Sequence, residues 1–86
     1  MPEICRFLGI VIYMYVDDHA PPHFHAVYAE YEGVFAIKNL EMIKGKLPPR
    51  VVAFITEWAI IHKEELEREW ELAMAKKPLF KIDPLV

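Results

Sequence analysis

The sequence predicts an α+β domain: a small curved antiparallel sheet of three to five strands with one long C-terminal helix packed across it. Three observations carry this expectation. Apolar residues alternate with a period of two through much of the first half of the chain. They recur at steps of three and four through the second half, and Pro48-Pro49 stands at the junction. The 86 residues suffice for one domain, 1–86, and a 55% hydrophobic content argues for a real core and against disorder. So high an apolar share also implies either a dense core or a face kept for a partner.

Each element has its own reason. PEICRFLG is a short extended start in which Pro2 suits an edge. IVIYMYV, residues 10–16, is apolar on both faces, as in a central strand covered on both sides. HFHAVYAEY, beginning at His23, resumes the period of two; Glu32-Gly33 is a turn signal, and VFAIKNL returns as the hairpin partner. EMIKGKL is a connector that turns at Gly45. Pro48-Pro49 then opens a helix over 49–76. Its apolar stripe is Val51, Ile55, Trp58, His62, Leu66, Trp70 and Ala73. Glu57, Glu64, Glu67, Arg68 and Glu71 form the solvated face, with Glu64 and Arg68 four apart in the favourable order. Pro78 stops the helix, and LFKIDPLV is an extended end that can add an edge strand.

Composition excludes several function classes. A net charge of −3 gives no general attraction to nucleic acid. The longest apolar run, residues 7–16, is too short to cross a bilayer as a helix and lacks a signal-peptide cleavage pattern, so no membrane role is expected. Cys5 is the single cysteine, which rules out an internal disulfide and a cysteine-rich zinc cage. A lone thiol is easiest to keep in a reducing compartment, and the expected location is cytoplasmic.

The segment DDHAPPHFHA, residues 17–26, carries the chemistry. His23 and His25 are two apart, so a strand places both on one face. His19 sits in the loop before them, behind a Pro21-Pro22 corner that stiffens the backbone. His62 falls on the apolar stripe of the helix, where an imidazole must find a polar partner. The spatial expectation is that His62 meets His23 and His25 in one shared pocket. Three chemical readings stay open. His23, His25 and His62 could bind a divalent transition metal such as zinc, with Asp17 or Asp18 as ligand or orienter. Imidazoles could act as acid and base without metal, with His19 and Asp18 beside them, as in phosphodiester cleavage. Or the histidines could be structural, since a short H-x-H recurs without chemistry.

Smaller signals point to binding. Tyr13, Tyr15, Tyr28 and Tyr31 lie on or near one sheet and could flank a ligand or stack on bases, although such tyrosines are more often packing residues. Lys44, Lys46 and Arg50 cluster around the helix start, where cations oppose the dipole and suggest an anion. Trp58 and Trp70 belong to the stripe, and any part left exposed would serve a homodimer or a partner.

The opening MPEICRFLGIVIYMYVDDHAPPHFHAVY resembles a family of small bacterial proteins, domain of unknown function 4160. Its marks are an M-P-x-I start, a G-I-x-I-x-M-Y-like strand and a D-H-x-P-P-H-F-H segment. Asp18, His19, Pro21, Pro22, His23, Phe24 and His25 match that segment. Gly45, Leu47, Pro48, Glu57, Trp58, His62, Leu66 and Trp70 match further on. The resemblance implies no established activity. It implies genes paired with a second small domain, similar to toxin–antitoxin cassettes, and hence a protein partner encoded nearby with a regulatory or nuclease-like role. The function expected from the sequence is therefore a protein-interaction component with a histidine-lined site. Its rivals are a histidine- or metal-dependent ribonuclease or phosphodiesterase, and a structural dimer without an active site.

Overall fold

A computed structural model describes residues 2–16 and 18–86; Asp17, named above as a ligand or orienter, lies outside the described residues. Five strands, β1 (Glu3–Phe7), β2 (Ile10–Tyr13), β3 (His23–Tyr28), β4 (Tyr31–Ala36) and β5 (Met42–Lys46), form one antiparallel sheet in the order β1-β2-β3-β4-β5. Two helices follow, α1 (Pro49–Ile61) and α2 (Lys63–Met74). The α+β class is as the residue pattern predicts, and the strand count lies within the three to five expected, but the fifth strand is the segment read as a connector, Met42–Lys46, not the C-terminal segment.

The single long helix is a correction. The chain leaves helical geometry at His62, with φ −110° and ψ 22°, and restarts at Lys63. Glu64 and Glu65 in the first turn of α2 favour a helix start there, because carboxylates suit the positive end of the dipole. The buried stripe continues across the break through Val51, Ile55, Trp58, Leu66, Trp70 and Ala73, so its periodicity reads as one helix. Ala59 and Glu69 join the buried set, whereas His62 is only half-buried.

The sheet covers itself on one face only. Ile10, Ile12, Phe24, Ala26 and Phe35 are buried and form one core with Trp58, Leu66 and Trp70. Phe24 stacks on Phe35 at 5.3 Å and meets Trp58 edge-on at 5.9 Å. Alternation sends Val11, Tyr13, His25, Val27 and Val34 to the other face, where they are half-buried. The strand at 10–16 is thus not covered by helices on both sides, and its regular pairing ends at Tyr13.

Glycines account for two further differences. The turn expected at Glu32-Gly33 falls instead at Ala29-Glu30, and Gly33 is a buried strand residue opposite both Ala26 and Gly45. A Cβ on Gly33 would stand 2.8 Å from Leu47 Cδ1 and from Met42 Sδ, so its bareness lets those side chains close over the sheet. Gly45 lies within β5, not in a turn; its φ of +92° and the Glu32 carbonyl packed against it leave no room for a side chain. The C-terminal segment is irregular, not a strand. It is tied down by Ile82 N–H to Ile4 O (2.8 Å), Trp58 Nε1–H to Asp83 O (2.8 Å) and Phe80 N–H to Glu69 Oε1 (2.6 Å).

Candidate functional site

The histidine corner forms where β2 hands the chain to β3. Ile37 N–H binds Pro22 O at 3.0 Å and anchors the loop to the far end of β4, and the Ala20–Pro21 peptide bond is cis. β3 then presents His23 and His25 on one face, with ring centroids 5.2 Å apart. Tyr13 pairs with His25 across β2 and β3, and Tyr15, just beyond β2, packs its ring edge-on to His25 at 4.4 Å. Burial, followed by the charge of Glu32, pushes the Tyr15 hydroxyl above its ordinary range and keeps it a neutral donor.

Asp18 is the hub. Its Oδ1 accepts the His19 backbone N–H at 2.8 Å, which leaves Oδ2 facing two imidazoles. His23 Nε2 is 3.0 Å from Oδ2 and His25 Nε2 is 3.6 Å from it. Burial raises the Asp18 pKa, but the His19 N–H and the contact with His23 outweigh it, and the carboxyl is held below its usual range. The carboxylate therefore stays ionised well into acid.

The proton count at this corner is informative. His23 Nδ1 is 2.6 Å from Pro21 O, and a carbonyl only accepts, so Nδ1 carries the hydrogen. In a neutral ring, Nε2 is then a bare lone pair aimed at a carboxylate oxygen. Only a further proton or a cation reconciles the two acceptors. His25 repeats the pattern more loosely. Its Nδ1 is 3.4 Å from Glu32 Oε2, yet neither ring nitrogen makes a hydrogen bond, although both atoms are buried. One ligand atom from each of Asp18, His23 and His25 lies within 4.8 Å of the others. His23 Nε2 and His25 Nε2 stand 3.0 and 3.6 Å from Asp18 Oδ2, close to the roughly 3.3–3.6 Å between ligands held about 2.0–2.2 Å from a tetrahedral zinc. A ring with one nitrogen on a carbonyl or carboxylate and the other aimed at a common point is the arrangement that orients metal-ligating histidines.

His62 stands outside this group. The helices cover the face that carries Phe24, and His25 looks the other way. His62 Nδ1 is 2.6 Å from Glu65 Oε1, and its ring lies against Trp58 at 5.6 Å. The helical layer touches the corner through Trp70, 5.1 Å from His23 and about 12 Å further along the helix than His62. The ligand set expected from sequence, His23, His25 and His62, gives way to Asp18, His23 and His25. His19 is 87% exposed, with Nδ1 2.8 Å from Asp18 Oδ1, and stands at the rim.

The corner opens into a cleft of about 550 Å³. Tyr15, Val16 and His19 line it on one side, and Val34, Ile43 and Lys44 on the other. Lys44 arrives by register: Tyr13, His25, Val34 and Lys44 form one row across four strands. Of the basic cluster read from the sequence, Lys44 reaches the cleft, whereas Arg50 is exposed in the first turn of α1 and does not line it. Val34, Ile43 and Glu32 were not singled out in the sequence as site residues. Their signal lay in which strands are neighbours, which alternation within one strand does not contain.

Among the described residues no helix is long and apolar enough to cross a membrane. The family model described as Domain of unknown function (DUF4160) matches residues 9–71. Neither the curated proteins nor the solved structures give a match.

Proposed function

The chain belongs to the DUF4160 family, a domain of unknown function, and from the geometry of its histidine corner we propose that Asp18, His23 and His25 hold a divalent transition metal. Zinc suits a donor set of two imidazoles and one carboxylate. The observation that carries the reading is the convergence of two imidazoles, one of them without any hydrogen bond, on one carboxylate. His23 has an acceptor at each nitrogen, and His25 has two buried nitrogens without a hydrogen bond. Asp18, His23 and His25 would hold the ion beside the cleft, where it would supply Lewis-acid chemistry to water or a bound ligand. The residues do the positioning: the Pro21 carbonyl sets the His23 tautomer, the His19 N–H fixes Asp18, and Tyr15 packs the His25 ring.

Calorimetric titration of tag-free protein tests it. One zinc equivalent is expected to bind, and His23→Ala and His25→Ala each to lose at least about tenfold in affinity. Absence of binding and of any thermal shift with zinc, nickel or manganese would overturn the metal reading.

A second reading rests on a separate surface. Ile60 and Ile61, adjacent at the end of α1, are each 63% exposed, beside Lys63, Glu64 and Arg68. An apolar pair rimmed by charges suits a protein partner, and we propose one encoded beside this chain, as in a two-gene regulatory cassette. Co-expression with the neighbouring gene product is expected to yield a complex that Ile61→Glu disrupts; no complex at micromolar concentration overturns it.

A further inference from the structure

The cleft has two unlike ends. At one stands the triad of Asp18, His23 and His25; at the other, Lys44 and the apolar side chain of Ile43, with Val16 across the opening beside Tyr15. Lys44 lies two strands from His25 in the same cross-strand row, so their Cα atoms are about 10 Å apart. A lysine side chain spans about 6 Å when extended, which brings its ammonium within reach of a group bound at the triad. Among the described residues the charged groups at the cleft, apart from the imidazoles, are the Asp18 carboxylate, the Lys44 ammonium and the Glu32 carboxylate beside His25. A divalent ion on Asp18 therefore turns the cleft positive and makes it favour an anion.

The apolar side is equally specific. Val16 is 43% exposed and Ile43 51% exposed at the rim, with Val34 between the sheet and the opening. A bare inorganic anion would leave these side chains in water. An anion carrying an apolar body would cover them.

We infer that the cleft binds a small organic oxyanion, a phosphate or carboxylate head between the metal ligands and Lys44, with an apolar body against Val16, Ile43 and Tyr15. This rests on the metal reading above. The head gains from two cations in a partly desolvated site, and the body gains from apolar area removed from water. Aromatic bodies suit a rim that offers the Tyr15 ring and the Ile43 side chain.

The test uses the full chain. Zinc is titrated first into the native protein and Lys44→Gln. Phenyl phosphate, benzoate and inorganic phosphate are then titrated into each zinc-loaded protein, with the absorption of cobalt(II)-loaded protein as a second readout. Equal zinc affinity in both proteins is expected. Phenyl phosphate or benzoate should bind the native protein at least tenfold more tightly than inorganic phosphate and shift the cobalt spectrum. Lys44→Gln should weaken that binding at least tenfold. Which aromatic anion binds decides between a phosphate and a carboxylate head. If zinc binds but neither aromatic anion does, this inference fails and the metal reading stands. It also fails if inorganic phosphate binds equally well, or if Lys44→Gln changes nothing. If zinc itself does not bind, both fail.

Discussion

His23 Nε2 lies 3.0 Å from Asp18 Oδ2, while the other nitrogen of the same ring is committed to the Pro21 carbonyl. An imidazole placed between two acceptors is complete only as a cation or beside one. What the metal reading adds to a buried His–Asp pair is the second imidazole, His25, converging on the same carboxylate oxygen, and this makes a prediction with two parts.

Asp18→Asn keeps the shape and removes the charge. Its Oδ1 can still accept the His19 N–H, and its amide can donate to His23 Nε2. Zinc affinity is expected to fall at least about tenfold. The metal-free variant should melt a few degrees below the native protein at pH 8. Because the Asp18 pKa is depressed by folding, its stabilising contribution is full above about pH 4 and is lost as pH falls through the lowered value. The native protein should therefore lose stability relative to the variant in strong acid. A variant that binds zinc as tightly as the native chain contradicts the ligand assignment.

Removal of the helix histidine makes the complementary case. His62 bonds Glu65 and packs on Trp58, remote from the triad. His62→Ala is expected to leave zinc affinity within about twofold, as separate sites combine independently. A tenfold loss would restore the shared pocket that the sequence suggests.

Glu69 is 3% exposed and accepts the Phe80 N–H. Burial, only partly opposed by that N–H, raises its pKa. A raised carboxyl costs stability above the folded value, and the cost fades as pH falls toward the unfolded value of about 4.3. Glu69→Gln keeps an oxygen for Phe80 without a charge. Urea unfolding at pH 7 should show stability unchanged or raised by about 1 kcal/mol, and the gap to the native protein should narrow toward pH 5. A loss above about 2 kcal/mol would show that the charge itself is needed.

Gly45→Ala forces a Cβ into the Glu32 carbonyl and within 2.9 Å of Gly33 Cα, at a φ of +92°. Both contacts are backbone, so neither can swing aside. A loss of at least about 2 kcal/mol in urea unfolding is expected; a loss under about 0.5 kcal/mol would mean that β5 shifts to make room.

Local pattern carried the class of the fold and the pairing of His23 with His25, because both depend on periods that a few residues define. It did not say which face the helices cover. Phe24 and His25 are neighbours in sequence, and only the packing of Trp58 on Phe24 decides that His25 is left on the open side. His62 misled for a related reason: its place in the stripe is real, but a polar ring half-buried on a stripe was satisfied by Glu65 one turn later. Gly33 and Gly45 read as turns because glycine favours them, yet both serve close contacts between strands that are distant in sequence. Lys44 was legible only as part of a basic cluster at the helix start; its place in the row of His25 needs the register of three strands.

The tether from Ile82 to Ile4 has a last consequence for self-association. It occupies the flank of β1, whereas β5, the opposite border, is mostly exposed and bears Lys44 and Lys46. A chain adding at the β1 flank would have to displace that tether, and one adding at β5 would meet two ammonium groups, so both borders resist edge-to-edge pairing.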